Sequence, residues 1–237
     1  TRYGTVTGVQ TCALPICRFL KGEEAEFQGV RMQSEWLDTE LPIVIVVNGQ
    51  HPEAWRAWRE GIRGSVSVSS NGVDTEGDRL GAVADLARGL EALPAVETVV
   101  VLAGDNLLSE SLAPHLAAHR ADGQALVLCR DLGDDVPPGR FGEVTVDTGG
   151  RITRFREKPD DPESPLTATY TYLLPGATAG HRVDQYLAGG GDADSPGRFI
   201  AWLAARETVR AVPLTGTYFD IGNHETLAEA RRAFDGT

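Results

Sequence analysis

TVVVLAGDN, residues 98–106, decides how the chain is read. Thr98 to Ala103 is an unbroken β-branched and aliphatic run, the pattern of a strand buried on both faces as in parallel sheets. It stops at Gly104-Asp105-Asn106. Ligands of open α/β sheets sit beyond the carboxyl ends of the strands, so Asp105 stands where a metal-binding carboxylate would be placed. The same three residues equally suit a plain turn.

Upstream of this strand, residues 43–47 read as a buried strand ending at Asn48-Gly49, and 53–60 as a short helix with Trp55 and Trp58 on one face. Residues 65–69 alternate like a strand. Asp78 is positioned to cap a helix running to about Leu93, with Leu80, Val83, Ala87 and Leu90 on one stripe. Downstream come a helix near 112–120 and a strand at 125–129. Strands alternating with helices imply parallel, right-handed βαβ units. Past the polar loop 131–140 the pattern changes. Two strands, 141–147 and 151–155, are joined by a turn at Thr148-Gly149-Gly150, followed by a strand at 166–174. Residues 183–187 and 198–205 look helical, and 209–214 and 217–219 extended. A last helix, 224–234, carries Leu227, Ala230 and Phe234 on one face, with Asn223 as its cap. The expected architecture is α/β: a Rossmann-like mixed, mostly parallel sheet with helices on both faces.

The chain has 237 residues, enough for one sizeable core. Its net charge of −12 argues against a nucleic-acid or anionic-membrane surface, although a metal can invert the field locally. Cys12, Cys17 and Cys129 make no disulfide framework, and no apolar run approaches membrane-spanning length. A cytoplasmic protein with neither nucleic acid nor membrane as partner is expected. Only two of its 22 basic residues are lysines, Lys21 and Lys158.

Residues 1–22 contain no Asp or Glu and hold two of the three cysteines. The run Gly8 to Ile16 resembles a translated sequencing adapter, so residues 1–17 are set aside from functional reasoning. Residues 18–40 carry no clear period. The expected division is an aberrant segment, 1–41, and a domain, 42–237.

Four segments carry chemistry. The first is NGVDTEGDRLGA, 71–82, a glycine-containing loop that feeds a helix N-terminus and would offer free N–H groups to an anion or a base edge. It also fits an ordinary strand-to-helix loop. The second is Gly104-Asp105-Asn106. The third is FREKP, 155–159, where a Glu can accept hydroxyls and a Lys can bind phosphate; an exposed ion pair is the plainer reading. The fourth is GTYFDIG, 216–222, in which Asp220 interrupts an apolar strand. A carboxylate there is costly unless paired, metal-bound or hydrogen-bonded to its own turn. If the fold brings Asp105 and Asp220 together, their repulsion calls for a cation between them. Oxygen ligands and phosphate substrates would favour Mg²⁺.

The ordered set DRLGA, LAGDNL, FGEV, FREKP and TYFDIGNHETLAEA resembles the nucleoside-diphosphate-sugar pyrophosphorylases, the glucose-1-phosphate thymidylyl- and uridylyltransferase type of nucleotidyltransferase. The resemblance covers roughly 42–235. It implies transfer of a nucleotidyl group from a nucleoside triphosphate to a sugar-1-phosphate, giving an NDP-sugar and pyrophosphate. It also implies Asp105 and Asp220 as Mg²⁺ ligands. Gly81 would contact the base, with Arg79 helping to hold the nucleotide. Gly142 would lie against the sugar, Glu157 would accept its hydroxyls, and Lys158 would hold its phosphate and take part in catalysis. A homo-oligomer is compatible with the family.

Two departures stand out. The family's opening strand, glycine-rich Arg turn and later Pro-Lys are missing from residues 1–41, so an impaired, N-terminally truncated enzyme is expected. Ala168-Thr169-Tyr170-Thr171-Tyr172 lacks the family's glycine, so Tyr170 would alter or block the sugar pocket. Three alternatives stay open. One is a catalytically inactive nucleotide-sugar-binding module. Another is a cytidylyltransferase acting on a non-sugar phosphate. The third is a metal-dependent glycosyltransferase, against which the lone Asp-x-Asp, Asp192 to Asp194, lies in a late loop rather than after the central strand.

Overall fold

In a computed structural model the described residues are 3–8, 42–49, 52–61, 66–73, 79–221 and 223–234. The central stretch forms strand β4, Thr98–Ala103, and all six of its residues are buried. Each buried Val or Leu here contributes roughly 1.5–3 kcal/mol, so the run is a fixed reference for its neighbours.

On one side of β4 lie β1 (Tyr3–Gly8), β2 (Ile43–Val47) and β3 (Val66–Ser70), all parallel. On the other lies β9 (Leu166–Pro175), antiparallel to β4 and to β6 (Ala125–Asp131). Strand β10 (Val209–Pro213) closes that edge parallel to β6. The order β3-β2-β1-β4-β9-β6-β10 is the mixed, mostly parallel sheet expected. Strands β7 (Gly142–Val146) and β8 (Ile152–Arg156) form an antiparallel ribbon hung on β9.

Alternation along the strands sends side chains to both faces. Val44, Val46, Val99, Val101, Val127 and Tyr172 share one core with the helices α2 (Ala82–Ala92), α4 (Gly176–Ala188) and α5 (Pro196–Ala204). Val100, Leu102, Leu126 and Leu128 share the other with α3 (Ala113–Asp122). Further along, Ile45, Val47 and Val66 bury Trp55 of α1 (Pro52–Gly61). The Trp58 side chain lies outside the described residues. Asn223 caps α6 (His224–Phe234) as expected: the N–H groups of Glu225 and Thr226 both donate to its Oδ1 at 2.9 Å. No helix among the described residues is long and apolar enough to cross a membrane.

Four expectations need correction. First, the segment set aside at the start contains a strand: Tyr3–Gly8 lies between β4 and β2, with Gly8 in register with Ala103. Thr5, Val6 and Thr7 are β-branched and suit that place. The loop leaving β1 therefore starts beside the end of β4; residues 9–41 lie outside the described residues.

Second, α2 begins at Ala82, not after Asp78, which lies outside the described residues. Gly81 takes φ 97°, which ends the helix N-terminally and leaves Leu80 exposed, off the expected stripe. Third, the extended stretch after β4 does not end at the turn: Asn106–Leu108 forms β5, paired antiparallel with β11, Tyr218–Asp220. Fourth, α4 starts seven residues before the expected 183. Its early glycines hid it, yet Gly176 is needed because any side chain there would overlap the Val96 carbonyl.

Candidate active site

The turn after β4 and the β5–β11 ribbon bring the two singled-out aspartates together. Asp220 is in register with Asn106, and the N–H of Ile221 donates to the Asp105 carbonyl at 2.9 Å. Burial, reinforced by the neighbouring charge of Asp220, pushes the Asp105 carboxyl up to about 6. Neither carboxylate forms an ion pair with a described Lys or Arg. No group of three or more His, Cys, Asp or Glu gathers among the described residues, so the pair offers oxygens from two residues only. Such a pair fits a divalent cation that takes its remaining ligands from water and phosphate.

Glu110, which sequence reasoning passed over, fixes this geometry. Its Oε2 accepts from the N–H groups of Thr215 (2.5 Å) and Gly216 (2.8 Å) and from the Thr215 hydroxyl (2.9 Å). Its Oε1 meets His115 Nε2 at 2.5 Å. The loop entering β11 is thereby tied to the segment leaving β5. Tyr218, also overlooked, receives a hydrogen bond from Asn106 Nδ2 on its hydroxyl. Burial and both aspartates push its phenol well above its ordinary value.

The N-terminus of α2 departs from expectation. Its first N–H groups are not open to an outside ligand, because the Ala193 carbonyl accepts from Val83 (2.8 Å) and Ala84 (3.4 Å). Gly81 is buried against that carbonyl, and a Cβ there would overlap Ala193 and fall 2.7 Å from the Asp194 nitrogen. Arg79 lies exposed just ahead of it. The Asp192–Asp194 loop, weighed above as a misplaced metal motif, is the plug for this helix. Tyr170 links this end to the aspartates: its hydroxyl donates to the Ala82 carbonyl at 3.3 Å, and Asp85, Asp105 and Asp194 all act on it electrostatically.

On the ribbon, FGEV and FREKP prove to be two sides of one clasp. Glu143 and Arg156 are in register and bond bidentately, Nε to Oε1 at 2.8 Å and Nη2 to Oε2 at 2.9 Å. The N–H groups of Glu163 and Ser164 also donate to Glu143 Oε2. The Arg156 partnership holds the Glu143 carboxyl down to about 2, against the opposing effect of burial. The next residue, Glu157, packs its carboxylate against Gly197 of α5. A Cβ on Gly142 would fall 3.4 Å from Glu157 Oε2 and 2.6 Å from the Phe155 ring, and one on Gly197 would overlap the same carboxylate. Burial holds the Glu157 carboxyl above its usual value, opposed by Lys158 and Arg198. Lys158 is exposed and makes no ion pair among the described residues, so the plain surface pair is not formed. It is also the one non-glycine residue with positive φ among those described, at 48°.

A model of the nucleotidyl transferase family matches residues 31–235. The chain belongs to that family. Relatives of this nucleotidyl transferase include a glucose-1-phosphate adenylyltransferase of Desulfitobacterium hafniense (strain DSM 10664 / DCB-2). It is 32% identical over 78 residues, which is 33% of this chain and 20% of the relative. A valienol-1-phosphate guanylyltransferase of Streptomyces hygroscopicus subsp. limoneus is 29% identical over 135 residues, covering 56% of this chain and 36% of that one. The matches therefore span well under half of either relative's length. Among solved structures, a UDP-glucose pyrophosphorylase complexed with UDP-glucose superposes with a TM-score of 0.75 at 15% identity, covering 100% of this chain and 99% of that one. A Bacillus anthracis structure described as a glucose-1-phosphate thymidylyltransferase, in complex with a sucrose, gives 0.74 at 17% identity over 98% and 95%. At such identities the likeness is one of fold.

Proposed function

We propose that this nucleotidyl transferase domain moves a nucleotidyl group from a nucleoside triphosphate to a sugar-1-phosphate, releasing pyrophosphate. The observation that carries the reading is the meeting of Asp105 and Asp220 at the carboxyl end of β4, held by the Ile221-to-Asp105 backbone bond. Family membership and the sugar-phosphate relatives support it.

In this reading a sugar-1-phosphate oxygen attacks the α-phosphorus, a new P–O bond forms, and the bond to pyrophosphate breaks. No covalent enzyme intermediate is needed; positioning and charge neutralisation supply most of the acceleration. Asp105 and Asp220 would hold Mg²⁺, which supplies positive charge to phosphate oxygens when bound. Glu157, half-buried between Gly142 and Gly197, accepts sugar hydroxyls. Lys158, exposed and without an ion pair among the described residues, binds the sugar phosphate. Arg79, exposed just ahead of Gly81, holds the nucleotide beside the plugged N–H groups of α2, with Gly81 as the base-contacting glycine. Tyr170, whose hydroxyl donates to the Ala82 carbonyl, stands between that end and Asp105 and alters the pocket there. Residues 42–237 form the catalytic domain, with β1 completing its sheet.

The test is pyrophosphate release from glucose-1-phosphate with each common nucleoside triphosphate and Mg²⁺, alongside calorimetry with nucleotide sugars. Slow release that Asp105→Asn abolishes is expected. Failure to bind any nucleotide sugar, or turnover indifferent to Asp105, overturns the reading. Binding without turnover would favour an inactive nucleotide-sugar-binding module.

A further inference from the structure

Arg130 ends the inward-facing row of β6, after Leu126 and Leu128, on the face that also carries Tyr218. Its guanidinium carbon lies 5.1 Å from the Tyr218 ring centre and 5.7 Å from that of Phe141. A second guanidinium, Arg140, sits 5.1 Å from the same Phe141 ring. Neither arginine forms an ion pair or a side-chain hydrogen bond with any described residue. The contrast with Arg156 is direct: that arginine spends its donors on Glu143 and Asp161. The Arg130 side chain is half-buried and braced by two aromatic rings, yet all five of its N–H donors lack a described protein acceptor. Stacking fixes where the fork sits while leaving its edge open. Two guanidinium groups on one ring, with no described carboxylate paired to either, make a cationic spot that a phosphate anion would offset.

Tyr218 connects this fork to the aspartates. Its ring faces Arg130, its hydroxyl is bonded by Asn106 next to Asp105, and Asp220 is two residues along the same short strand. Tyr218 is thus acted on electrostatically by Arg130 and by both carboxylates, and Arg130 pairs with neither of them.

We infer that Arg130, with Arg140 at the rim, is a phosphoryl-anion ligand that grips the phosphate group delivered to the Asp105–Asp220 end of the sheet. The inference deepens the phosphoryl-transfer reading and rests on it for the identity of the natural ligand. The shared chemistry is phosphate oxygens, supplied by the diphosphate of the nucleotide or by the sugar-1-phosphate. A planar fork suits two such oxygens at once.

Calorimetry on the full chain with Mg²⁺ tests it, using inorganic pyrophosphate, glucose-1-phosphate and UDP-glucose as separate probes. Arg130→Ala is expected to weaken at least one phosphate probe by about tenfold or more, the loss of one charge-assisted contact. Arg130→Lys, which keeps the stem over the rings and the charge, recovers part of that loss, and Arg130→Gln does not. Thermal unfolding of each variant separates loss of binding from loss of fold; a bracing role alone would move the midpoint and leave affinity unchanged. A loss confined to pyrophosphate and UDP-glucose assigns the nucleotide's phosphates, and one confined to glucose-1-phosphate assigns the sugar's. If wild type and all three variants bind every probe alike, or wild type binds no phosphate probe, the inference is overturned. Wild type that binds UDP-glucose with Arg130 irrelevant leaves the functional reading standing alone. Wild type that binds pyrophosphate through Arg130 but no nucleotide sugar overturns the functional reading and keeps the anion site.

Discussion

The β7–β8 ribbon, hung on β9, and the separate β5–β11 ribbon beyond the carboxyl end of β4 both carry charge, and they treat it in opposite ways. On the first, Glu143 is 1% exposed and fully engaged: two bonds from Arg156 and two from backbone N–H groups. On the second, Asp105 feels the charge of Asp220 with no described cation paired to either, and Arg130, stacked on Tyr218, has no acceptor among the described residues. A fully satisfied buried charge is scaffold, because nothing remains for a ligand to bind. Charges held close but unanswered raise the free energy of the empty site, and a ligand that neutralises them recovers it. The difference separates the two glutamates of FGEV and FREKP: Glu143 is fully paired, whereas Glu157, set between Gly142 and Gly197, has no ion pair among the described residues.

The comparison breaks most readily at Asp105. Replacing it with Asn keeps the shape and removes one of two repelling charges. Nucleotidyl transfer should fall by roughly 100-fold or more, about 2.7 kcal/mol of barrier. The thermal midpoint should stay level or rise, since the folded state sheds a strained charge. A midpoint that fell sharply would place Asp105 with the scaffold instead.

The opposite pattern is expected at Glu143. Glu143→Ala strands Arg156 and two backbone N–H groups. The midpoint should drop by several degrees in a calorimetric scan, and nucleotide-sugar affinity should weaken only as the 157–165 loop loosens. The pH dependence follows the same charge. Its folded pKa of about 2 lies below the ordinary 4.5, so its stabilisation is fully present above about 4.5 and is lost as pH falls toward 2. Unfolding midpoints taken across that window should decline in the parent chain and stay flatter in Glu143→Gln.

How much of this was legible beforehand depends on whether a residue acts through its own type or through its partner. Asp105 and Asp220 were visible because each puts a charge at the end of an apolar run. The fold class was visible in the runs themselves and in their alternation with helices. Strand β5 was hidden by its three-residue length behind a turn. The Glu143–Arg156 clasp was hidden because it depends on register, which set side by side two motifs that read separately. The plug on α2 was beyond any reading of side chains, since the group that fills the helix end is the backbone carbonyl of Ala193. Arg130 looked like any other arginine; only the two rings beside it set it apart.

That plug gives a third test. Gly81 combines φ 97° and ψ 156°, a region nearly exclusive to glycine, with a Cβ direction blocked by Ala193. Gly81→Ala should cost about 1–3 kcal/mol in denaturant unfolding and expel the 192–195 loop. If nucleotide binding is lost along with the plug, the α2 end belongs with the open charges; if stability alone falls, it belongs with the clasp.

The smallest effect on stability, and the sharpest division of roles, is expected at Lys158. Its φ of 48° immediately before Pro159 is a conformation that L-residues adopt at a cost of about 1–2 kcal/mol. Glycine would relieve that cost but restore about 0.5–1 kcal/mol of backbone freedom to the unfolded chain. Lys158→Gly should therefore leave stability unchanged or raise it by no more than about 1 kcal/mol, read in denaturant unfolding. Glucose-1-phosphate binding, followed by calorimetry, should be lost all the same. Unchanged stability together with lost binding would leave the lysine no structural reason to be there and would assign its ammonium to the phosphate; a fall in stability with binding intact would return Lys158 to the scaffold.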